Sequence, residues 1–344
     1  MGTVQLTIDA DDRALADSAA PSDVSSNAPR NVTPNDEFVL AHLSDLHLSS
    51  LEGVRPRALL GKRILGYLSW RMRRRREHRM EVLDALRADL QSERLDHIAV
   101  TGDLTHIGLP QEFRQVAAWL EKLGPPEGVT VVPGNHDAYV RESWDDTFAQ
   151  WAAYMRGDDA GKATECADAF PTLRVRREVA LIGLSTALPS APFLATGRLG
   201  ERQLSRLDEL LEETGRAGLF RIVLLHHPPA RHTVRPRKSL RDGAAFRDVL
   251  ARRGAELTLH GHAHFSAATY LDGARGRNLA IGVPSASAIG KHVDRYATYH
   301  LYGIRRSASG WRLRVAVRTY SLDRGRFVSD DGRRLREALA AAPA

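Results

Sequence analysis

Five short segments carry side chains able to hold metal ions: Asp45-Leu46-His47, Gly102-Asp103, Gly134-Asn135-His136-Asp137, His226-His227-Pro228-Pro229 and Gly261-His262-Ala263-His264. Imidazole nitrogen suits zinc, iron, copper and nickel, and carboxylate and carbonyl oxygens suit harder ions such as manganese, so this mixed set fits borderline metals. In an extended segment residues i and i+2 point to one side. Asp45 with His47, and His262 with His264, can therefore each send two ligands toward one place. A carboxylate such as Asp103 can bridge two cations about 3.5–4 Å apart, the spacing that two-metal hydrolysis requires. The glycines before Asp103, Asn135 and His262 let the backbone turn sharply beside such ions. A lone His or Asp after a strand is usually a satisfied turn residue. Five such segments in order, each after a strand-like run, do not arise readily by chance.

The runs that must position these segments alternate between strand and helix. Phe38–Leu43, His97–Thr101 and Val129–Val132 read as strands, the last ended by Pro133-Gly134. Met80–Leu90 reads as a helix, with Leu83, Leu86 and Leu90 at three- and four-residue spacing. Pro110 opens a second helix, a residue suited to the first turn. Val179–Ser185, Leu219–Leu225 and Leu257–Leu259 read as strands, with helices before the last two. After Gly261 the pattern turns mostly to strand: Ala267–Leu271, Asn278–Val283, Ala297–Ile304 and Trp311–Thr319. Polar residues gather just after strand ends, where open α/β sheets place their ligands. Residues 1–36, rich in Ala, Ser, Asp and Pro, are expected to form a disordered tail. The body is expected over 37–325, followed by a C-terminal tail over 326–344.

As a set, the five blocks resemble the signature of the calcineurin-like metallophosphoesterase superfamily: D-x-H, G-D, G-N-H-[DE], a later H, and G-H-x-H, matched here from Asp45 to His264. Thr101-Gly102-Asp103-Leu104-Thr105 and Leu225-His226-His227-Pro228-Pro229 look most like the bacterial cyclic-nucleotide phosphodiesterase branch. The resemblance implies an α/β fold, a four-layer α/β/β/α sandwich of two mixed sheets, with two metal ions (Mn, Fe or Zn) at the strand ends. It implies that Asp45, His47 and His264 hold one metal, that Asn135, His226 and His262 hold the other, and that Asp103 bridges them. It implies that His136 is no ligand and instead protonates the leaving oxygen or stabilises the phosphorane-like charge. Of the adjacent pair, His226 is expected to ligate and His227 to stand behind it. One position departs from a common pattern: many relatives carry an acid three residues after the bridging Asp, where this chain has His106. An imidazole cannot support imidazolium at His136 as a carboxylate would. Either another acid does so, with Asp137 the candidate, or His136 has a lowered pKa.

Residues 55–79 interrupt this plan with ten basic side chains, among them Arg73, Arg74, Arg75 and Arg76, against the single acid Glu77. Leu60, Ile64 and Leu68 recur every four residues, with Tyr67 and Trp70 alongside. The pattern predicts a basic amphipathic helix near the mouth of the site. Three readings follow: a cap packing its leucines on the domain, a contact with an anionic membrane or amphiphilic substrate, or a nucleic-acid contact. Nucleic acid is the weakest of the three, because aromatics are few and no recognition motif occurs.

The whole chain sets outer bounds. It has 344 residues, 43% hydrophobic and 26% charged, with formal net charge +7, which is the balance of a globular protein with an anionic partner or substrate. The single cysteine, Cys166, rules out an internal disulfide framework and a cysteine-rich zinc site, and its acidic neighbours argue against a reactive thiol. No run approaches the roughly 18 apolar residues that span a membrane. Without a basic stretch followed by an apolar one at the N-terminus, a cytoplasmic setting is expected, with peripheral contact at the inner membrane face as an option. The expected function is metal-dependent hydrolysis of a phosphodiester, with a 3',5'-cyclic nucleotide as lead substrate. A rival is a lipid-linked phosphoester or pyrophosphate at the inner membrane surface. A second rival, a non-catalytic scaffold of the same fold, sits badly with a chain that keeps every ligand position.

Overall fold

A computed structural model describes residues 3–9, 37–48, 50–158, 169–273, 277–290 and 295–341. Thirteen strands among these form two sheets. In chain order they are β1 Thr3–Ile8, β2 Phe38–Leu43, β3 His97–Val100, β4 Val129–Val131, β5 Thr172–Arg176, β6 Val179–Gly183, β7 Phe220–Leu224, β8 Leu257–His260, β9 Ala267–Leu271, β10 Asn278–Gly282, β11 Thr298–Ser307, β12 Gly310–Ser321 and β13 Arg326–Asp330. The first sheet runs β1-β12-β11-β2-β3-β4, with β13 also on β12, and the second runs β5-β6-β7-β8-β10-β9. Both are mixed. β2, β3 and β4 are mutually parallel, as are β6, β7, β8 and β10, while β11, β5 and β9 run against their neighbours.

The sheets face one another, and period-two burial shows why. Phe220, Ile222 and Leu224 of β7 join the core that contains Leu40, Leu43 and Val100 of the first sheet. Val223, between them, joins a separate cluster with Leu207, Leu211, Phe246 and Leu250 from the helices Glu201–Arg216 and Gly243–Arg253. Both faces of β7 are thus covered, as a parallel sheet needs. The helices Met80–Ser92 and Pro110–Leu123 cover the first sheet, completing the four expected layers.

The ends of the chain depart from expectation. β1 lies inside the stretch read as an N-terminal tail, yet it pairs with β12 from Thr3↔Gly310 to Ile8↔Val315. Val4, Leu6 and Ile8 alternate with polar residues and pack against the core, a signal masked by the polar sequence that follows. The expected disorder over 10–36 lies outside the described residues, as does Cys166. The stretch read as a C-terminal tail supplies β13 and the helix Arg333–Ala340, held by buried Phe327 and Leu335. Each element is short and mostly polar, so its few apolar residues do not stand out as a period.

The basic segment forms a strap rather than one regular helix. A 3-10 turn over Pro56–Leu59 leads to a helix over Arg63–Ser69, a π-turn over Trp70–Arg74 and a last turn over Arg75–Glu77. Arg63 fastens its start, donating to the Ile107 carbonyl at 3.2 Å, the Gly108 carbonyl at 2.5 Å and Glu142 at 2.6 Å. His78 fastens its end, with Nδ1 2.8 Å from Ser287 Oγ. Between them Leu59 and Trp70 are buried with Leu51, Ile107 and Leu109. The leucines expected to pack as a cap do not: Leu60 is 77% exposed, Ile64 50% and Leu68 44%.

Candidate metal centre

All five segments converge, because each leaves the C-terminal end of a parallel strand: β2, β3 and β4 in one sheet, β7 and β8 in the other. Three groups of side chains have potential ligand atoms within 4.8 Å of one another: Asp45, His47 and His264; His47, Asp103 and His136; and Asp103, His226 and His262. Asp103 stands in two of them, at the junction. Its Oδ2 lies 3.3 Å from His226 Nε2 and 4.0 Å from both His47 Nε2 and His136 Nε2. His264 Nε2 lies 3.1 Å from Asp45 Oδ1.

The ring nitrogens facing away from the junction are already held. His47 Nδ1 is 2.9 Å from the Thr105 carbonyl and His226 Nδ1 is 2.7 Å from the Thr101 carbonyl. Each carbonyl can only accept, so each Nδ1 carries a proton and each Nε2 is turned inward, toward the junction. His262 is held from its other side, by the Lys238 carbonyl 3.0 Å from Nε2. His47 Nε2 and Asn135 Oδ1 are buried without a hydrogen-bond partner. Buried polar atoms are normally satisfied. Two orphaned lone pairs in a cluster of this composition fit a site built for cations. Burial disfavours a charged His226, yet Asp103, with help from Asp45, pushes it up to about 9. The same anionic pull favours a metal cation there.

The backbone accomplishes this in a way the extended-segment reading did not anticipate. Asp45 (φ 53°), His47 (39°), Asp103 (56°), His262 (67°) and His264 (59°) all adopt left-handed conformations. Each costs on the order of 1–3 kcal/mol. The i, i+2 pairs converge because the chain coils at the strand ends, with Leu46 buried between Asp45 and His47. The glycines also divide by role. Gly102 (φ 93°) makes the turn. Gly261 is there for room, since a Cβ would overlap Ser44 Oγ and Asp45 Oδ2. Gly134 is crowded in the same way by Asp103.

The neighbours of His136 answer the question raised by His106. The Asp137 carboxylate does not support the ring. It accepts from the backbone N–H groups of Asp103, Leu104, Thr105 and Gly134 and so clamps two ligand loops together. Burial and Asp103 push Asp137 up to about 7 against those donors. The His106 ring stacks on His47 at 5.3 Å, while its carbonyl accepts from His136 Nδ1 at 2.5 Å. Arg74 then approaches His136, with Nη1 3.1 Å from Nε2. Burial first and the Arg74 charge second hold His136 well below the ordinary imidazole range. Arg74 Nη1 also lies 3.2 Å from Nδ1, but Nδ1 donates to the His106 carbonyl, so in neutral His136 only Nε2 can accept from the guanidinium. His227 lies behind the ligand row, with Nδ1 2.7 Å from Thr186 Oγ1 and its ring centroid 4.4 Å from that of His262.

Arg73 to Arg76 do not form one surface. Arg73 and Arg74 line a cavity of about 500 Å³ that contains Asp103, Asn135, His136, His262 and His264. Arg75 and Arg76 line another, of about 550 Å³, with His47, Trp70 and His106. Three groups at the first cavity were not singled out in the sequence. Arg237 and Lys238 follow the His226 segment, in a loop whose basic run was the available signal. His78, 4.6 Å from His47 between ring centroids, had no signal beyond its type.

A two-sheet sandwich with Asp, Asn and His at the meeting strand ends defines a metallophosphoesterase. Residues 38–266 match the calcineurin-like phosphoesterase family, and the chain belongs to it. It is 27% identical to a probable cyclic nucleotide phosphodiesterase from Synechococcus over 206 residues, which is 59% of this chain and 69% of the relative. The fold is similar to that of a dimetal phosphatase from Danio rerio, with TM-score 0.57 and 14% identity, covering 86% of this chain and 99% of the other.

Proposed function

We propose that this phosphoesterase hydrolyses a phosphodiester, with a 3',5'-cyclic nucleotide as first candidate substrate. The observation that supports this reading is Asp103, shared between two candidate ligand groups, one of which places His136 beside it. The cyclic nucleotide rests on similarity to the Synechococcus relative. Asp45, His47, His264 and Asp103 would hold one divalent metal ion, and Asp103, Asn135, His226 and His262 the other. When bound, the two cations would neutralise phosphoryl oxygens and activate water at neutral pH.

The chain's own groups divide the remaining work. Neutral His136, fixed through Nδ1 on the His106 carbonyl, presents Nε2 toward the reacting oxygens. Arg74 supplies a permanent positive charge at the same point. Its partner in the free protein is an uncharged ring rather than a carboxylate, so it can exchange that bond for a phosphoryl or departing oxygen at small cost. In a secluded cleft, a preorganised donor aimed at developing charge typically lowers the barrier more than any other single device.

A second reading, a lipid-linked phosphoester or pyrophosphate at the inner membrane surface, gains support from the exposed leucines of the strap that carries Arg74. A cytoplasmic setting goes with both. The deciding experiment is a substrate panel with added manganese: cyclic nucleotides, bis-p-nitrophenyl phosphate, a phosphomonoester and a nucleotide-linked lipid. Metal-dependent turnover of diesters well above the monoester is expected. Preference for the monoester, or no metal-dependent turnover of any member, would refute the diester reading.

A further inference from the structure

The strap that brings Arg74 to the cleft turns its apolar side to solvent. Ile64, Leu65 and Leu68 stand on the helix Arg63–Ser69, with Leu60 just before it and Met72 on the π-turn, and the apolar side of such a segment normally faces the core. Here Leu60, Ile64, Leu68 and Met72 are all exposed, Met72 by 71%. With Leu65 they supply five of the ten exposed large hydrophobics among the described residues. The side chains turned inward are Leu59, Arg63, Trp70 and, in part, Lys62, Tyr67 and Arg74. The π-turn contributes to this arrangement. Arg75 N–H bonds five residues back to the Trp70 carbonyl, and the widened turn sends both Trp70 and Arg74 to the domain while Met72 stays outside. An exposed ridge of this kind adds little to folding stability, since its apolar area stays in water.

The charge around the ridge is as one-sided as its apolarity. Arg57 and Arg71 flank it, exposed, and neither pairs with a carboxylate among the described residues. The lone acid, Glu77, is taken by Arg73 at 3.5 Å. The aromatics that could stack on bases, Tyr67 and Trp70, are packed on each other at 5.8 Å, and Trp70 is buried. An aliphatic ridge flanked by unpaired guanidinium groups matches acyl chains beneath anionic head groups, and it offers nucleic acid no stacking platform. Exposed Phe265 lines the cavity, which places further apolar surface at its mouth.

We infer that the ridge from Leu60 to Met72 docks this protein on an anionic lipid bilayer, with the cavity mouth beside the contact. The inference is independent of which phosphoester is cleaved. It is tested by flotation of the full chain with vesicles of phosphatidylcholine alone or with one third phosphatidylglycerol, at low and high salt. Three proteins are compared: wild type, the pair Ile64→Asp and Leu68→Asp, and the pair Arg57→Gln and Arg71→Gln. Wild type binds the anionic vesicles at low salt. The aspartate pair loses binding at every salt concentration. The glutamine pair loses on the order of 30-fold in partitioning, from about 1 kcal/mol for each arginine near the surface. All three retain metal-dependent hydrolysis of bis-p-nitrophenyl phosphate, which separates lost docking from a lost fold or site. Failure of wild type to float with anionic vesicles overturns the inference, as does undiminished binding by the aspartate pair. Self-association broken by the same aspartates, without vesicle binding, would assign the ridge to a second copy of the chain.

Discussion

At the residue scale, the proposed chemistry turns on one carboxylate and one guanidinium. Asp103 is the anion that two candidate ligand groups share, so Asp103→Asn should reduce bound metal from two ions per chain to one or fewer, read by elemental analysis after dialysis. Two tightly held metals in that variant would remove the shared-ligand assignment. Arg74 is expected to act on charge rather than on metal. Arg74→Gln should leave metal content unchanged and lower kcat by about 10²–10³, the typical effect of removing one preorganised donor. Arg74→Lys should recover only part, because an ammonium lacks the planar fork. Turnover unchanged in the glutamine variant would place Arg74 outside the reaction. His136→Ala should likewise spare the metals while lowering kcat by about 10²–10⁴. Loss of metal in that variant would make His136 a ligand.

At the element scale, the strap is a unit of its own. Its buried side chains, Leu59 and Trp70, belong to a small cluster with Leu51, Ile107 and Leu109 that is separate from the two main cores. Local opening free energies follow such divisions. Trp70→Ala removes the largest member, at a cost of about 3–5 kcal/mol to the cluster. Hydrogen exchange should then show residues 56–78 losing protection while β7 and β8 keep theirs. Uniform loss across both sheets would show instead that the strap is part of the global core. The same division explains why the amphipathic pattern was legible and its direction was not. Four-residue spacing shows that a helix has an apolar side, but which side meets the domain depends on Ile107, Leu109 and Glu142, all far away in sequence. Arg63 and Trp70 find partners there, and Leu60, Ile64 and Leu68 do not.

At the scale of the whole molecule, the interior holds neutral histidines whose burial has a pH signature. His97 on β3 sits with Nε2 2.8 Å from Thr130 Oγ1, and burial, reinforced by Arg174, lowers it to about 3. The unfolded chain binds a proton at this residue below about pH 6.5, where the folded chain does not. Stability is therefore lost as pH falls from that value toward 3, by about 1.4 kcal/mol per unit. Between pH 7.5 and 5 the wild type should lose about 2 kcal/mol more than His97→Gln does, measured by urea unfolding. Equal losses would mean that His97 ionises in the folded state. The sequence by itself determined the family and marked the candidate ligands and every strand of the body except β5, because each is written in residue type and short spacing. Asp45-x-His47 and Gly261-His262-x-His264 need no distant partner to be recognised. It did not show β1 or β13, whose few apolar residues gain their meaning only from pairing with β12. Nor did it show that Asp45 and His47 converge through left-handed backbone, or that Arg74 alone of the arginine run meets His136. Those outcomes were decided by tertiary structure, because conformational strain, burial and hydrogen-bond partners are properties of segments brought together from across the chain.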